Sequence, residues 1–351
     1  MKEIFPIRLK QARIMQGLSM DSLCEKASFA LSKQAISKYE TGKMMPDSKS
    51  LIILSNALGV SIDYFFRPIA VSIDNVEFRK KSKLGAKQID TIKELVRDKL
   101  ERYFEIESII DIQTEFKSVY DNVLIQGEYD IFPIVARIKE EWKLGEDGIN
   151  NLIEILEENK IKVIEIDAPD SFDGVSGYVN GKNPVIVLNK KFDSERKRFT
   201  ALHELGHLLL NFDNSIDEKR IESFCNLFAN EMLISKSVFI QKIGMNRKDI
   251  SLQELQDIQF QFGISIDALM YKAKELNIIT DARYRTFCIK KNQTKRFKEE
   301  VEKSRYKQEE SNRFVRLVYR ALASEIISIS KYLRSFSHEN GINGSNKFDK
   351  F

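Results

Sequence analysis

Two of the three histidines in this chain of 351 residues stand four positions apart, on either side of a glutamate. The stretch reads His203-Glu204-Leu205-Gly206-His207. Because four residues make about one turn of an α-helix, a helix here projects both imidazoles from one face, with Glu204 at its edge. Two imidazoles in this arrangement can hold a zinc ion, and the carboxylate next to them can act as a general base. The motif therefore predicts a helix with a metal-binding face.

The residues around this motif have the pattern of a half-buried helix over 194–211. Leu202, Leu205 and Leu209 repeat at helical spacing and face a predicted core, whereas the histidines lie on the polar side. Gly206 allows another backbone to approach closely. An ordinary structural role is the alternative for any single histidine, but the pairing of two around a glutamate favours metal binding.

A catalytic zinc site normally takes three protein ligands and keeps one position for water, so one ligand must come from elsewhere. The next predicted helix, 216–233, carries several acids. Glu222 shares a face with Asn226, one turn later, whereas Glu231 points roughly the opposite way. We predict Glu222 as the third ligand of Zn2+, and Asn226 as the side chain that orients a ligand histidine from behind. Glu218 stays open as another ligand, and Mn or Fe as another metal.

The composition is that of a globular protein in a reducing compartment. Hydrophobic residues make up 42% and charged residues 31% of the chain. No apolar run approaches the roughly 18 residues of a membrane helix, and the N-terminus lacks the apolar core of a signal peptide. The three cysteines are odd in number and widely spaced, which disfavours a disulfide framework. We expect a cytoplasmic protein with no membrane partner.

The N-terminal segment is predicted to form five short helices, with Ser19, Ser32 and Ser61 as N-caps. Its charge is also distinctive. Residues 1–85 hold 14 Lys and Arg against 8 Asp and Glu, whereas the remainder holds 42 against 44. Excess positive charge suits a surface that approaches phosphate. The predicted helices are 5–16, 20–27, 33–40, 49–58 and 62–66.

The remaining chain predicts a mainly α-helical fold with a small β-sheet, of the α+β class. Strand candidates are 71–78, 161–166, 174–179 and 184–188. Helices are predicted at 131–143, 148–159, 194–211, 216–233, 235–243 and 309–334. A helix or helical pair is predicted at 86–118, and a second helix-turn-helix pattern at 251–277.

The N-terminal stretches LSMDSLCEKA (18–27) and LSKQAISKYETGKMMPD (31–47) resemble the XRE, or lambda-repressor-like, helix-turn-helix family. The resemblance implies that the helix over 33–40 reads a double-stranded DNA operator, because its polar side can reach base edges and phosphates. Leu23 to Glu40 spans about two residues more than the usual family spacing, with the extra residues near Ser28-Phe29-Ala30. The predicted DNA contacts are Lys33, Gln34, Ser37, Lys38, Thr41 and Lys43.

The stretches RFTALHELGHLLL (198–210) and ESFCNLFANEML (222–233) resemble the ImmA/IrrE metallopeptidases. The resemblance implies Glu222 as a zinc ligand and Glu204 as the catalytic base, with Cys225 in place of the usual alanine. FDGVSGY (172–178) and VIVLN (185–189) also resemble this family's strands. An extended substrate is expected to pair with the strand at 176–180 or the one at 184–188.

The two resemblances together predict a transcriptional regulator that couples DNA binding to proteolysis of a regulatory protein, such as a repressor. The alternatives are a non-enzymatic repressor or an antitoxin, in which the zinc domain is a sensor or a binding platform. Helices 86–120 and 309–334 are candidates for homodimerisation. The expected domains are a five-helix DNA-binding domain (1–68), a connector with a long helix (69–128), a zincin-like metallopeptidase domain (129–245), a helical region (246–336) and a disordered tail (337–351).

Overall fold

The computed structural model describes residues 3–73, 84–112, 116 and 123–328. The chain divides into two compact units. The first comprises Met1–Thr114, Tyr178–Gly181 and Asn312–Phe351, and the second comprises Glu115–Gly177 and Lys182–Ser311. Helices dominate and the sheets are small, which confirms the predicted α+β class. Within the described ranges, no helix is long and apolar enough to cross a membrane.

The first unit begins with the short helices that the sequence predicts. Ser19 and Ser32 cap their helices by accepting hydrogen bonds from the backbone N–H of Ser22 and Ala35. Gly59 ends the fourth helix in the left-handed conformation, as is common after a helix C-terminus. These elements are α1 (Ile4–Met15), α2 (Met20–Lys26), α3 (Lys33–Glu40), α4 (Ser48–Leu58) and a 3₁₀ helix (Ile62–Phe66).

A long helix, α5 (Ala86–Ile109), packs against α1 through a buried ionic cluster. The Arg8 guanidinium donates to Glu101 Oε1 at 2.9 Å and is almost fully buried. Arg67 shares Glu101 at 2.8 Å, so the carboxylate is paired from two sides. The helix predicted over 86–118 ends earlier than expected, at Ile109.

Another helix of this unit, α15 (Arg313–Ala323), also packs on α5. Arg313 donates to Glu107 Oε1 at 2.8 Å and to the Tyr103 hydroxyl at 3.0 Å. This helix starts four residues after the predicted start at 309, and the predicted stretch 329–334 and the tail lie outside the described residues. Residues 71–73 are not a strand, and the rest of the predicted strand 71–78 also lies outside them.

The second unit is built around a three-stranded sheet with the order β2-β4-β3. Strand β2 pairs with β4 in parallel, Lys162 opposite Val185 through Ile166 opposite Asn189. Three residues separate β3 from β4, and two of them, Asn180 and Gly181, have positive φ. The strands are β2 (Lys162–Ile166), β3 (Gly174–Val179) and β4 (Asn183–Asn189), which match the three predicted strands closely.

The described part of this unit also contains nine α-helices. They are α6 (Ile131–Glu141), α7 (Leu152–Glu158), α8 (Ser194–Leu209), α9 (Glu218–Leu233), α10 (Lys236–Ile243), α11 (Leu252–Phe262), α12 (Ile266–Glu275), α13 (Asp281–Gln293) and α14 (Lys295–Glu302). A second, two-stranded parallel sheet joins β1 (Leu124–Ile125) to β5 (Asn211–Phe212). The sequence analysis missed α13 and α14; in α13 only Phe287 is buried, so no apolar stripe marks it.

Candidate metal centre and nucleic-acid interface

The two helices that carry the predicted metal ligands pack tightly against each other. Asp193 caps α8 by accepting a hydrogen bond from the Arg196 N–H at 2.9 Å. Gly206 lies where α8 meets α9, and a Cβ atom there would come within 3.3 Å of Cys225 Sγ and of Phe228 Cδ1. A side chain larger than glycine would therefore press on α9. This close approach sets the distance between the histidines and the acids of α9.

Three potential ligand atoms converge at this contact. His203, His207 and Glu222 each offer one donor atom, and these atoms lie within 4.8 Å of one another. Glu222 Oε2 is 3.1 Å from His203 Nε2, and its Oε1 is 3.3 Å from His207 Nε2. The two Nε2 atoms are 3.2 Å apart. Ligands at about 2.1 Å from one tetrahedral ion lie about 3.4 Å apart, so these spacings fit a single zinc ion.

The surroundings of His203 also suit a metal ligand. Its Nδ1 lies 2.9 Å from Asn226 Oδ1. When the amide oxygen accepts the Nδ1 proton, the neutral imidazole keeps a free lone pair on Nε2, which points to the other two donors. This is the orienting contact that the sequence analysis assigned to Asn226. The donor set of two imidazoles and one carboxylate is one that zinc prefers.

Glu204 is buried, with 3% of its surface exposed, and lies beside this group without joining it. Its Oε2 accepts a hydrogen bond from Ser176 Oγ at 2.6 Å. Ser176 lies on β3, 28 residues earlier in the chain, and the sequence analysis did not select it. The hydroxyl holds one carboxylate oxygen in place, which fixes the side chain's orientation.

The other acids considered for the metal are placed elsewhere. Glu218 is exposed in the first turn of α9 and does not belong to the three-donor group. Glu231 is buried and accepts a hydrogen bond from Lys272 Nζ at 2.6 Å. Glu222 and Glu231 thus lie in different environments on α9, as their helical spacing predicted. Glu222 lies with the histidines, and Glu231 lies with Lys272.

The strand order excludes one of the two strands expected to pair with a substrate. Strand β4 lies between β2 and β3, so both of its edges are already bonded. The expectation for 184–188 is therefore wrong, because a central strand has no backbone groups left for a peptide. Strand β3 carries Ser176, and the backbone N–H of Asn180, directly after it, donates to the Ser72 carbonyl oxygen at 3.2 Å. The expectation that a substrate pairs with 176–180 stays a prediction.

Helix α3 presents a polar face. Ile36 and Tyr39 are buried, whereas Gln34, Lys38 and Thr41 are exposed. Arg13 on α1 anchors the end of α3 with two hydrogen bonds to the Glu40 carboxylate, at 2.6 and 2.8 Å.

Two of the predicted DNA contacts are partly engaged within the chain. Lys33 Nζ lies 2.8 Å from Asp21 Oδ2, and both side chains are exposed. The Thr41 hydroxyl donates to the Ser37 carbonyl oxygen at 2.8 Å, which caps its own helix. Lys43, just beyond the helix, is exposed.

The longer turn between α2 and α3 has an unusual backbone. Ser28 and Phe29 have consecutive positive φ values of 52° and 57°. Neither is glycine, so both occupy a region that costs such residues energy. The Phe29 ring is 76% exposed. The two additional residues identified in the sequence are accommodated in this turn, and α3 still begins at a regular Ser32 cap.

Comparisons with known proteins agree with both resemblances. Residues 156–274 match the family model described as IrrE N-terminal-like domain, and residues 9–65 match a helix-turn-helix model.

Two relatives are HTH-type transcriptional regulators of Bacillus subtilis (strain 168). The SPbeta prophage-derived uncharacterized regulator YonR is 37% identical over 71 residues, 20% of this chain and 64% of the relative. The uncharacterized regulator YqaE is 34% identical over 64 residues, 18% of this chain and 53% of the relative. The chain spans less than two thirds of either relative. Its two matched segments, taken with the geometry of α3 and of α8–α9, identify it as an XRE-type helix-turn-helix domain joined to an IrrE N-terminal-like domain.

Proposed function

We propose that this protein is a DNA-binding transcriptional regulator whose second domain is a zinc-dependent endopeptidase that cleaves a regulatory protein, such as a repressor. The observation that carries the proposal is the convergence of His203, His207 and Glu222 within 4.8 Å, with the buried Glu204 beside them. Helical spacing alone brings the histidines together, but only the fold brings Glu222 to them.

The side chains divide the chemistry of peptide hydrolysis. His203, His207 and Glu222 would hold the zinc ion, which would supply Lewis-acid chemistry and a more acidic water molecule. Glu204 accepts a proton from the attacking water and delivers it to the leaving amine. The Ser176 hydroxyl keeps the Glu204 carboxylate oriented for both transfers. An extended peptide that runs along the Ser176 end of β3 would place its scissile bond near these groups.

The first domain supplies the DNA contacts in this proposal. Lys33, Gln34, Ser37, Lys38, Thr41 and Lys43 lie on α3 or directly after it. Glutamine pairs with adenine edges, and lysine binds guanine edges or phosphates. The assignments of residues 1–68 to DNA binding and of 129–245 to peptidase activity belong to the same proposal, as does the dimeric state that two operator half-sites favour.

Metal content of the purified full-length protein tests the ligand set. We expect about one zinc per chain in the wild type and none in Glu222→Gln. Glu218→Gln is the matched control, because Glu218 lies one turn earlier on α9 and outside the donor group. Equal loss of zinc in both variants, or retention in both, would contradict the assignment of Glu222.

Activity is tested by comparing cells that produce the wild type with cells that produce Glu204→Gln. Mass-spectrometric mapping of new protein N-termini should find at least one cleavage, in a regulatory protein, that requires Glu204. The variant should keep its zinc and its operator binding. If it keeps both, regulates its operator normally and changes no N-terminus, the peptidase proposal fails. The protein would then be a non-enzymatic repressor or an antitoxin.

A further inference from the structure

A cavity of about 660 Å³ lies against α6, α9 and the start of α10, within the second unit. Its volume falls in the range of small-molecule binding sites, roughly 300–1,000 Å³. The walls are mainly apolar and include Phe132, Val135, Ala136 and Ile240. The exposed ring of Tyr129 stands beside Phe132, with 6.4 Å between ring centroids. The cavity therefore has the volume and the lining for an apolar molecule.

One buried cation also lines this cavity. The Lys139 side chain is only 8% exposed, and its ammonium lies 4.0 Å from the nearest carboxylate, that of Glu146. Among the described residues, it has no hydrogen-bond partner. Burial lowers the pKa of Lys139, and the neighbouring Glu146 and Glu231 oppose that shift. A buried ammonium without a close partner is costly, and an anion supplied by a ligand would remove that cost.

The acids near Lys139 are already engaged. Glu231 binds Lys272 Nζ at 2.6 Å and the Lys236 backbone N–H at 2.9 Å. Glu146 is two-thirds exposed and accepts a hydrogen bond from Ser235 Oγ at 3.0 Å. Neither carboxylate lies within hydrogen-bond distance of Lys139. Lys139 differs in this respect from Lys272, which pairs directly with Glu231.

We propose that this cavity binds a small aromatic carboxylate, with its ring between the apolar walls and its carboxylate on Lys139. Lys139 is buried, whereas Lys236, the other lysine at the cavity, is exposed. The Glu146 and Glu231 carboxylates also line the cavity and repel a phosphate dianion more than a monoanion, so a monoanion fits better. The Ser237 hydroxyl at the cavity is a further donor for the second carboxylate oxygen, whereas the Ser235 hydroxyl already donates to Glu146. This site is separate from the three-donor group, and the proposal stands whether or not the protein is a peptidase.

Calorimetric titration of the full-length protein with two matched probes tests this inference. The probes are 2-naphthoate and its neutral analogue 2-naphthamide. We expect naphthoate to bind about tenfold tighter, because only it forms a charge-assisted hydrogen bond with Lys139. Lys139→Met should reduce the affinity for naphthoate to that for naphthamide. Lys242→Met, on the exposed side of α10, is the matched control and should change neither affinity.

A second variant keeps the test decisive if Lys139→Met does not fold. Glu146→Gln alters an exposed side chain and removes the carboxylate that competes for Lys139. It should raise naphthoate affinity about threefold and leave naphthamide unchanged. Equal binding of both probes, no binding of either at millimolar concentration, or unchanged naphthoate affinity in Glu146→Gln would each overturn the proposal.

Discussion

Helix α3 and the helix pair α8–α9 present their polar side chains in opposite ways. On α3, the residues assigned to DNA contact are mostly exposed, and two of them bond within the chain. On α8 and α9, the residues assigned to the metal contact one another at 3.1–3.3 Å. A site for a small ion is thus assembled by the fold itself, whereas a site for DNA is a surface whose geometry is completed by the partner. Variants of α8 and α9 should therefore change zinc binding and leave operator binding intact, whereas variants of α3 should do the reverse. The following predictions test that difference.

The largest expected effect is the loss of metal on substitution of a histidine ligand. His207→Ala removes one of three donors, and we expect zinc affinity to fall by at least about a hundredfold. Operator binding should be unchanged. Elemental analysis and a gel-shift assay on the same preparation measure both. A histidine variant that keeps its zinc would remove the distinction between the two sites.

The contact between α8 and α9 should be nearly as sensitive as the ligands. Gly206→Val places methyl groups where even a Cβ meets Cys225 and Phe228 at 3.3 Å, so the helices must separate. We expect a loss of about 2 kcal/mol in the free energy of unfolding, together with weaker zinc binding. Gly206→Ala is the control. Its single methyl needs only a small shift, and alanine's helix propensity offsets the cost. Denaturant unfolding with and without zinc measures both variants, and equal behaviour of the two would disprove the packing argument.

In the helix-turn-helix domain, the contact between Arg13 and Glu40 fixes the position of α3, as the contact at Gly206 fixes α8 against α9. Arg13→Met leaves the buried Glu40 carboxylate without its two hydrogen bonds, at a cost of about 2 kcal/mol. The hydrogen bond with Glu40 raises the pKa of Arg13, so the guanidinium stays charged at every ordinary pH. We expect lower stability and weaker operator binding, with zinc content unchanged. Adding Glu40→Gln to this variant should restore part of the stability, because a neutral amide is less costly to bury than an unpaired carboxylate.

A smaller effect should separate two lysines of the DNA-binding face. Lys38→Ala should weaken operator binding about tenfold, whereas Lys33→Ala should weaken it less, because Asp21 already holds Lys33 at 2.8 Å. Removal of that acid in Asp21→Asn should increase affinity slightly. Titrations at several salt concentrations give the number of phosphates that each variant still neutralises. A larger effect at Lys33 than at Lys38 would contradict this order.

The smallest effect concerns the cap of α4. Asp47 accepts the backbone N–H of Ser50, which lowers the pKa of its carboxyl below the usual 3.8. A carboxyl whose pKa is lower in the folded state than in the unfolded state stabilises the fold. This stabilisation is complete above about pH 3.8 and is lost as the pH falls through the lower, folded-state pKa. Asp47→Ala should therefore reduce the melting temperature at pH 7, and the difference from the wild type should shrink in acid. A difference that stays constant down to about pH 2 would exclude this mechanism.

The parts of the molecule that follow local rules were predictable from the sequence. Serine caps and apolar spacing predicted α2 and α3, and the four-residue spacing of the histidines predicted that both lie on one face of α8. The sheet order was not predicted, because it depends on which strands meet after the chain folds. For that reason, the exclusion of β4 as a substrate strand required the structure.

Contacts between residues far apart in the sequence could not be predicted either. Ser176 precedes Glu204 by 28 residues, and no spacing rule connects a strand residue to a helix residue at that distance. Lys139 and its cavity likewise depend on three helices that only the fold brings together. Helix α13 was missed because its polar residues surround it almost completely, leaving only Phe287 buried.

A last consequence concerns Arg198, which is fully buried on the helix that bears both histidines. Its guanidinium donates to Glu309 Oε1 at 2.6 Å and to the Phe262 carbonyl oxygen at 3.1 Å, and it stacks on the Tyr306 ring. Shortened versions of this protein for crystallisation or assay should therefore extend at least through residue 311. A fragment cut at 245 would leave a bare cation in its own interior, and its insolubility would say nothing about the chemistry of the intact molecule.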